Sequence, residues 1–282
     1  MLSPLDFLSD LANPSLGFLP RALVISIIVA AVCGVVGTHV VLRGMAFIGD
    51  AVAHAVFPGL AIAFALQVSI LLGGAVAGAA VALLVAVFSQ RRRVKEDTVI
   101  GIFFAASFAL GLVIIARVQG YTASLTSVLF GSITGVSEAD IVVAAAVGAF
   151  VVTLLLALSP QLTAVALDRE TAKAMNLPVL LLDVLLYLAV TAAVVISIRT
   201  IGNILVLALL ITPAATARLI TNRLNSMMAL SALVGVAGSI IGLYLSWSLD
   251  APTGATIVLT LTAVFLLTWV ISPLRYRSKV SA

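Results

Sequence analysis

The chain has 282 residues, of which 63% are apolar and 9% charged, with a mean hydropathy of +1.29. A soluble domain carries roughly 25% charged residues to cover its core, so a soluble globular fold, a disordered chain and a nucleic-acid binder are excluded. The net charge of +4 therefore bears on membrane topology rather than on nucleic acid. Long unbroken apolar runs, instead of short alternating ones, make the spans helical, because backbone polar groups in lipid must be satisfied internally.

No positive charge precedes Arg21, so the start lacks the basic region of a cleavable signal peptide. Residues 1–20 are expected to be an extramembrane segment ahead of a retained first span. Uncharged runs then cover 22–42, 51–90, 98–116, 118–137, 141–167, 184–198, 200–217, 224–249 and 251–274. A span takes about 20 residues, so 51–90 holds two, with a turn near Gln67–Ser69. The 118–137 run, with GYTASLTS and GSITG, is turn-rich and reads as a loop with a short helix. The span after Leu177 begins ahead of Asp183. The reading is an all-α polytopic membrane protein of about nine transmembrane helices, eight to ten by where ends are placed. It forms one transmembrane domain over 1–282, with a cytoplasmic tail over 275–282. Cys33, the one cysteine, permits no intrachain disulfide or thiolate cluster. GGAVAG (73–78) and GSIIG (238–242) carry glycines four apart and read as close helix packing.

With nine spans, Arg43, the RRRVKED loop (91–97), DRETAK (168–173), Arg218, Arg223 and the tail fall on one side. Twelve of the fifteen positive residues lie there, with Arg21, Arg117 and Arg199 opposite. The positive-inside rule makes the crowded face cytoplasmic and puts the N-terminus outside.

The chain has no GxxxxGK[ST] phosphate loop, no HExxH and no GxSxG. With His39 and His54 as its only histidines, it reads as a transport path and not an enzyme, with ATP hydrolysis on a separate chain. The informative stretch is RGMAFIGDAVAHAVFPG (43–59). Asp50 and His54 are four apart and share one helix face. Pro58 cannot donate to the His54 carbonyl, so a kink is expected there, and Pro213 in LLITPAATA is a second candidate hinge. A carboxylate in apolar sequence is costly and points to function. One carboxylate and one imidazole suit Mn²⁺, Zn²⁺ or Fe²⁺ over Cu⁺. Two ligands are too few, and a twofold homodimer would supply two Asp and two His. GMAFIG (44–49) is read as continuing inside the membrane while Arg43 snorkels to water. His39 is read as a hydrogen-bonded structural residue, Glu96 and Asp97 as solvated loop charges, and Glu138 and Asp140 as a wet helix start.

Taken together, these stretches resemble the integral membrane permeases of bacterial ABC importers for manganese, zinc and iron, over about Leu19 to Leu274. RGMAFIGDAVAHAVFPG is similar to the family's Gly-Asp-Ala…His…Pro-Gly signature. VKEDTVIGIFFAASFALGLVII (94–115), SVLFGSITGVS (127–137), LDRETAKAMNLPV (167–179), GNILVLALLITPAATARL (202–219) and LDAPTGATIVL (249–259) match further elements in the same order. The resemblance implies a multi-pass permease of the bacterial cytoplasmic membrane with the fold of type II importers. It implies two permease copies, a cytoplasmic ATP-binding subunit and an extracellular or periplasmic metal-binding protein. No cofactor is held permanently, and the divalent metal is cargo. Asp50 and His54 fall on the metal path. The ATPase contact falls on 168–178, in particular Arg169, Glu170, Lys173 and Asn176. The family usually has Gly where Asn176 stands, and Arg199 is less typical. The alternatives are a siderophore/cobalamin-type permease or a proton-coupled secondary metal carrier.

Overall fold

The computed structural model describes residues 3–90, 94–116, 135–201 and 203–280, with the backbone alone at 57, 70, 115, 199–201, 203–204 and 273–280. Its helices are α1 (Pro4–Leu11), α2 (Phe18–Arg43), α3 (Ile48–Ala65), α4 (Ile70–Phe88), α5 (Glu96–Ile115) and α6 (Glu138–Leu167). They continue with α7 (Arg169–Ala174), α8 (Val179–Ile201), α9 (Asn203–Ile220), α10 (Leu224–Leu249) and α11 (Thr253–Val280). Eight of them are long and apolar enough to cross a membrane, and α9 is a shorter apolar helix over Leu205–Ile220. Those nine helices stand where the charge boundaries place the spans. Most of the 118–137 loop, Arg91–Arg93, Arg117 and the Arg199 side chain lie outside what is described.

The helix ends follow from local chemistry. Gly44, at φ 70°, closes α2, its N–H donating to the Val40 and Val41 carbonyls; only glycine takes this left-handed cap without strain. Ser69 caps α4, after a turn in which Gln67 sits at φ 55°, where the sequence predicts one. Ser137 and Asp140 form a capping box at the start of α6. Pro58, Pro160 and Pro213 lie within α3, α6 and α9, and each helix continues past its proline.

Three helices, α2, α3 and α8, are mostly buried, while α4, α5, α6 and α11 turn most of their surface outward. The centre depends on small residues. A Cβ on Gly34 would lie 2.7 Å from the α10 backbone at Ala232, and one on Gly37 would lie 1.8 Å from the Leu210 carbonyl oxygen of α9. Gly59 of α3 and Gly73 of α4 face each other, each Cβ position falling within 2.4 Å of the other's carbonyl oxygen. Gly74 and Gly78 meet Val56 and Thr191, and Gly238 and Gly242 meet Leu261 and Ile257, so both glycine pairs noted in the sequence pack helices closely.

The two ends of the bundle differ. At the end holding the N-terminus, α1 lies across α2 and α10. Phe7 is buried edge-on to Tyr244 at 5.5 Å, Trp247 donates to Asp10 at 2.8 Å, and Arg21 pairs with Glu138 at 3.0 Å. The side chain of Glu138 is 81% exposed, as a wet helix start should be. Ser3 donates to Asp6 through its backbone and accepts in return at its hydroxyl, which holds that carboxyl below the usual aspartate range. At the other end the loops flanking Arg43, Gln90, Glu96 and Arg169 converge. This is the end that the distribution of positive charge marks as cytoplasmic.

Candidate metal site and coupling cluster

Asp50 is the third residue of α3, whose N-cap, Phe47, offers no side-chain cap. Its carboxylate therefore sits in the first turn, beside backbone N–H groups that lack helical partners and at the positive end of the helix dipole. One turn on, the His54 Nδ1 lies 3.0 Å from the Asp50 carbonyl oxygen and 3.3 Å from the Asp50 carboxylate. With two oxygens at Nδ1, the neutral ring holds its proton there and its lone pair on Nε2. That leaves Nε2 as the ligating atom, with a carboxylate–histidine arrangement behind it. Phe104 and Phe108 of α5 meet the imidazole edge-on at 4.8 and 5.2 Å and lie nearly parallel to each other, 4° apart. Ala51, Val52, Ala53, Ala55 and Val56 are buried around the pair. The Asp50 and His54 side chains remain 28% and 18% exposed, so the polar pair is reachable within an apolar wall. Among the described residues no group of three or more His, Cys, Asp or Glu side chains converges. One chain thus brings two ligands where a transition metal takes four to six.

The chain around this pair departs from the sequence reading in four places. Residues 44–47 do not extend a span. Met45 and Ile48 are fully buried around a turn that reverses the chain between α2 and α3. Arg43 does not snorkel: its side chain is 4% exposed and donates to Asp183 at 2.7 Å. Its charge is satisfied inside the bundle because a carboxylate waits there. Glu96 is not a solvated loop charge either, since it accepts from the Tyr187 hydroxyl and lies 3.8 Å from Arg169. Asp97 buries one carboxylate oxygen without a partner among the described residues. His39 is buried in α2 with its Nε2 likewise unpartnered; the hydrogen bond expected for it is absent at that atom, because its neighbours on α2 and α9 are apolar.

Asp183 is the residue the sequence reading passed over. Its residue is 0% exposed. It accepts from Arg43, from Gln90 at 2.9 Å and from Arg169. The signal was present in LLLDVLL (180–186), a carboxylate in apolar sequence like Asp50; without the fold, nothing joined it to Arg43 or Arg169.

The four residues assigned to the ATPase contact do not behave alike. In α7, capped by Asp168, Glu170 and Lys173 pair at 3.5 Å with side chains more than half exposed or at half exposure. Asn176 stands at φ 58°, a left-handed position that glycine fills freely and asparagine tolerates. The turn therefore survives the departure from glycine. The Arg169 guanidinium points inward, to Asp183 and Glu96.

A helical bundle with a carboxylate–imidazole pair on an inner helix and an exposed mixed-charge helix at one end is the layout of a transporter subunit. The family model of the ABC 3 transport family matches residues 15–272. The chain belongs to this family. It is 41% identical to the manganese transport system membrane protein MntC of Halalkalibacterium halodurans, over 92% of this chain and 89% of that one. It is 37% identical to the manganese import system permease protein ScaB of Streptococcus parasanguinis, over 93% of each. The solved structure of PsaBC from Streptococcus pneumoniae in complex with Fab superposes with a TM-score of 0.86 at 35% identity, covering 99% of this chain and 100% of that one. The resemblance drawn from the motifs is thus borne out, as is the all-helical polytopic fold. The ABC 3 chain is a multi-pass permease of the bacterial inner membrane.

Proposed function

We propose that this permease is the membrane subunit of an ATP-driven importer for a divalent transition metal. Manganese is the first candidate, with iron next and zinc third. The observation that carries the reading is the Asp50/His54 pair, with Nε2 presented by a hydrogen-bonded imidazole inside an aromatic and aliphatic wall. Carboxylate oxygen plus imidazole nitrogen suits Mn²⁺ and Fe²⁺. The names of MntC and ScaB, a manganese transport protein and a manganese import permease, support the order of candidates. The two-ligand shortfall supports a second copy of the chain across a twofold axis, which would double the ligand set. Glu170, Lys173 and Asn176 on the exposed side of α7 offer the docking surface for a cytoplasmic ATP-binding subunit. A metal-binding protein delivers the ion from outside. ATP-driven closure of the ATPase pair shifts the permease between states, and Pro58 and Pro213 are the candidate hinges.

The test is uptake of radiolabelled Mn²⁺, Fe²⁺ and Zn²⁺ into vesicles holding the complete complex, with and without ATP. Wild type should accumulate metal only with ATP. Asp50→Ala should abolish uptake while the protein remains folded. Wild-type uptake in that variant would refute the metal-site assignment, and ATP-independent uptake would favour a proton-coupled carrier.

A further inference from the structure

Arg169 opens α7, yet its guanidinium turns away from solvent and joins the buried carboxylate of Asp183 on α8. The same carboxylate holds Arg43, the last residue of α2. Four residues, 44–47, then lead directly into α3 and to Asp50. A continuous chain of charge contacts and backbone therefore runs from the exposed helix to the turn that carries the candidate metal ligands.

The cluster is also built with a second arrangement within reach. A cavity of about 250 Å³ is lined by Arg43, Glu96, Val165–Leu167, Asp168 and Arg169. It leaves room beside α7 that a packed interface would not. Arg43 donates through Nη1, while its Nε and Nη2 are buried without a hydrogen-bond partner among the described residues. Two carboxylates on the cavity wall, Glu96 and Asp168, are candidate acceptors for them. Buried donors without partners are costly, so a shift of α7 that brought a carboxylate to Arg43 would be compensated by the new bonds. Networks with two discrete arrangements are what carry coupling between distant sites.

We propose that Arg169 and Asp183 are positioning residues that transmit motion of α7 to the Arg43 turn and so to Asp50 and His54, and that Arg169 is not itself a docking contact. This rests on the importer reading, in which the ATPase docks on α7.

The experiment uses the complete complex in vesicles and reads three quantities: retention of the ATP-binding subunit, ATP hydrolysis, and Mn²⁺ uptake per ATP hydrolysed. In Arg169→Gln the Arg43–Asp183 pair is left intact. The ATPase should stay bound and continue to hydrolyse ATP, while uptake per ATP falls at least tenfold. Asp183→Asn should uncouple in the same way, and the double variant should be no worse than the worse single one, because both act through one contact. Arg169→Lys should restore part of the coupling. The proposal is overturned if Arg169→Gln sheds the ATPase, fails to assemble, or keeps wild-type uptake per ATP, or if the two losses multiply in the double variant. A wild-type complex that accumulates no metal on ATP addition refutes the importer reading itself. A coupled wild type beside a coupled Arg169→Gln refutes only the strut.

Discussion

The contact between Gly59 and Gly73 makes a quantitative prediction about the candidate metal site. Replacing Gly73 by alanine places a methyl group 2.4 Å from the Gly59 carbonyl oxygen and 2.5 Å from the Ala63 Cβ. Ordinary contact begins near 3.4 Å, and the nearest atom is backbone, which cannot rotate away. The two helices must therefore separate by about 1 Å, and overpacking of this kind costs about 1–3 kcal/mol. Gly59 lies five residues from His54 on the same helix, so the displacement reaches the ligand pair. Metal–ligand distances tolerate about 0.2 Å, several times less than the shift. Gly73→Ala should lower the melting temperature of the purified permease by several degrees and reduce Mn²⁺ uptake in vesicles by at least tenfold. Gly101→Ala on α5 is the control, since its Cβ meets nothing within 4 Å; it should leave both unchanged or gain up to about 1 kcal/mol from helix propensity. If Gly73→Ala melts and transports like the wild type, the close α3–α4 approach does not set the ligand geometry.

Further outcomes follow from the same contacts. Asp183→Leu leaves Arg43 buried without its carboxylate and should cost about 3–5 kcal/mol, read as a lower melting temperature in detergent; equal stability would show that Arg43 reaches another partner. Asn176→Gly should keep ATPase binding unchanged, whereas Asn176→Val should weaken the α7–α8 turn by about 1–2 kcal/mol, measured by thermal unfolding and by co-purification of the ATPase. Cys33 is 0% exposed, so a membrane-permeant maleimide should label the native protein negligibly and the unfolded protein fully; rapid native labelling would mean that α2 is open to solvent.

The sequence by itself determined the bundle. Charge is so costly in lipid that the ends of apolar runs had to mark the ends of helices, and helices such as α4 and α10 fall between the expected boundaries. It also isolated Asp50 and His54, because a four-residue spacing on one helix is a local fact that needs no tertiary information. Tertiary structure decided the rest. Arg43, Gln90, Glu96, Arg169 and Asp183 come from five separated stretches, and no spacing rule joins them. Read singly, Arg43 looked like a snorkelling end and Glu96 like a loop charge, and Asp183 drew no notice. Assembled, they form a buried ionic cluster in which each charge is admitted by the others. Which charges face water and which face one another depends on how helices pack, and that depends on glycines such as Gly34, Gly37, Gly59 and Gly73, whose partners lie on other helices.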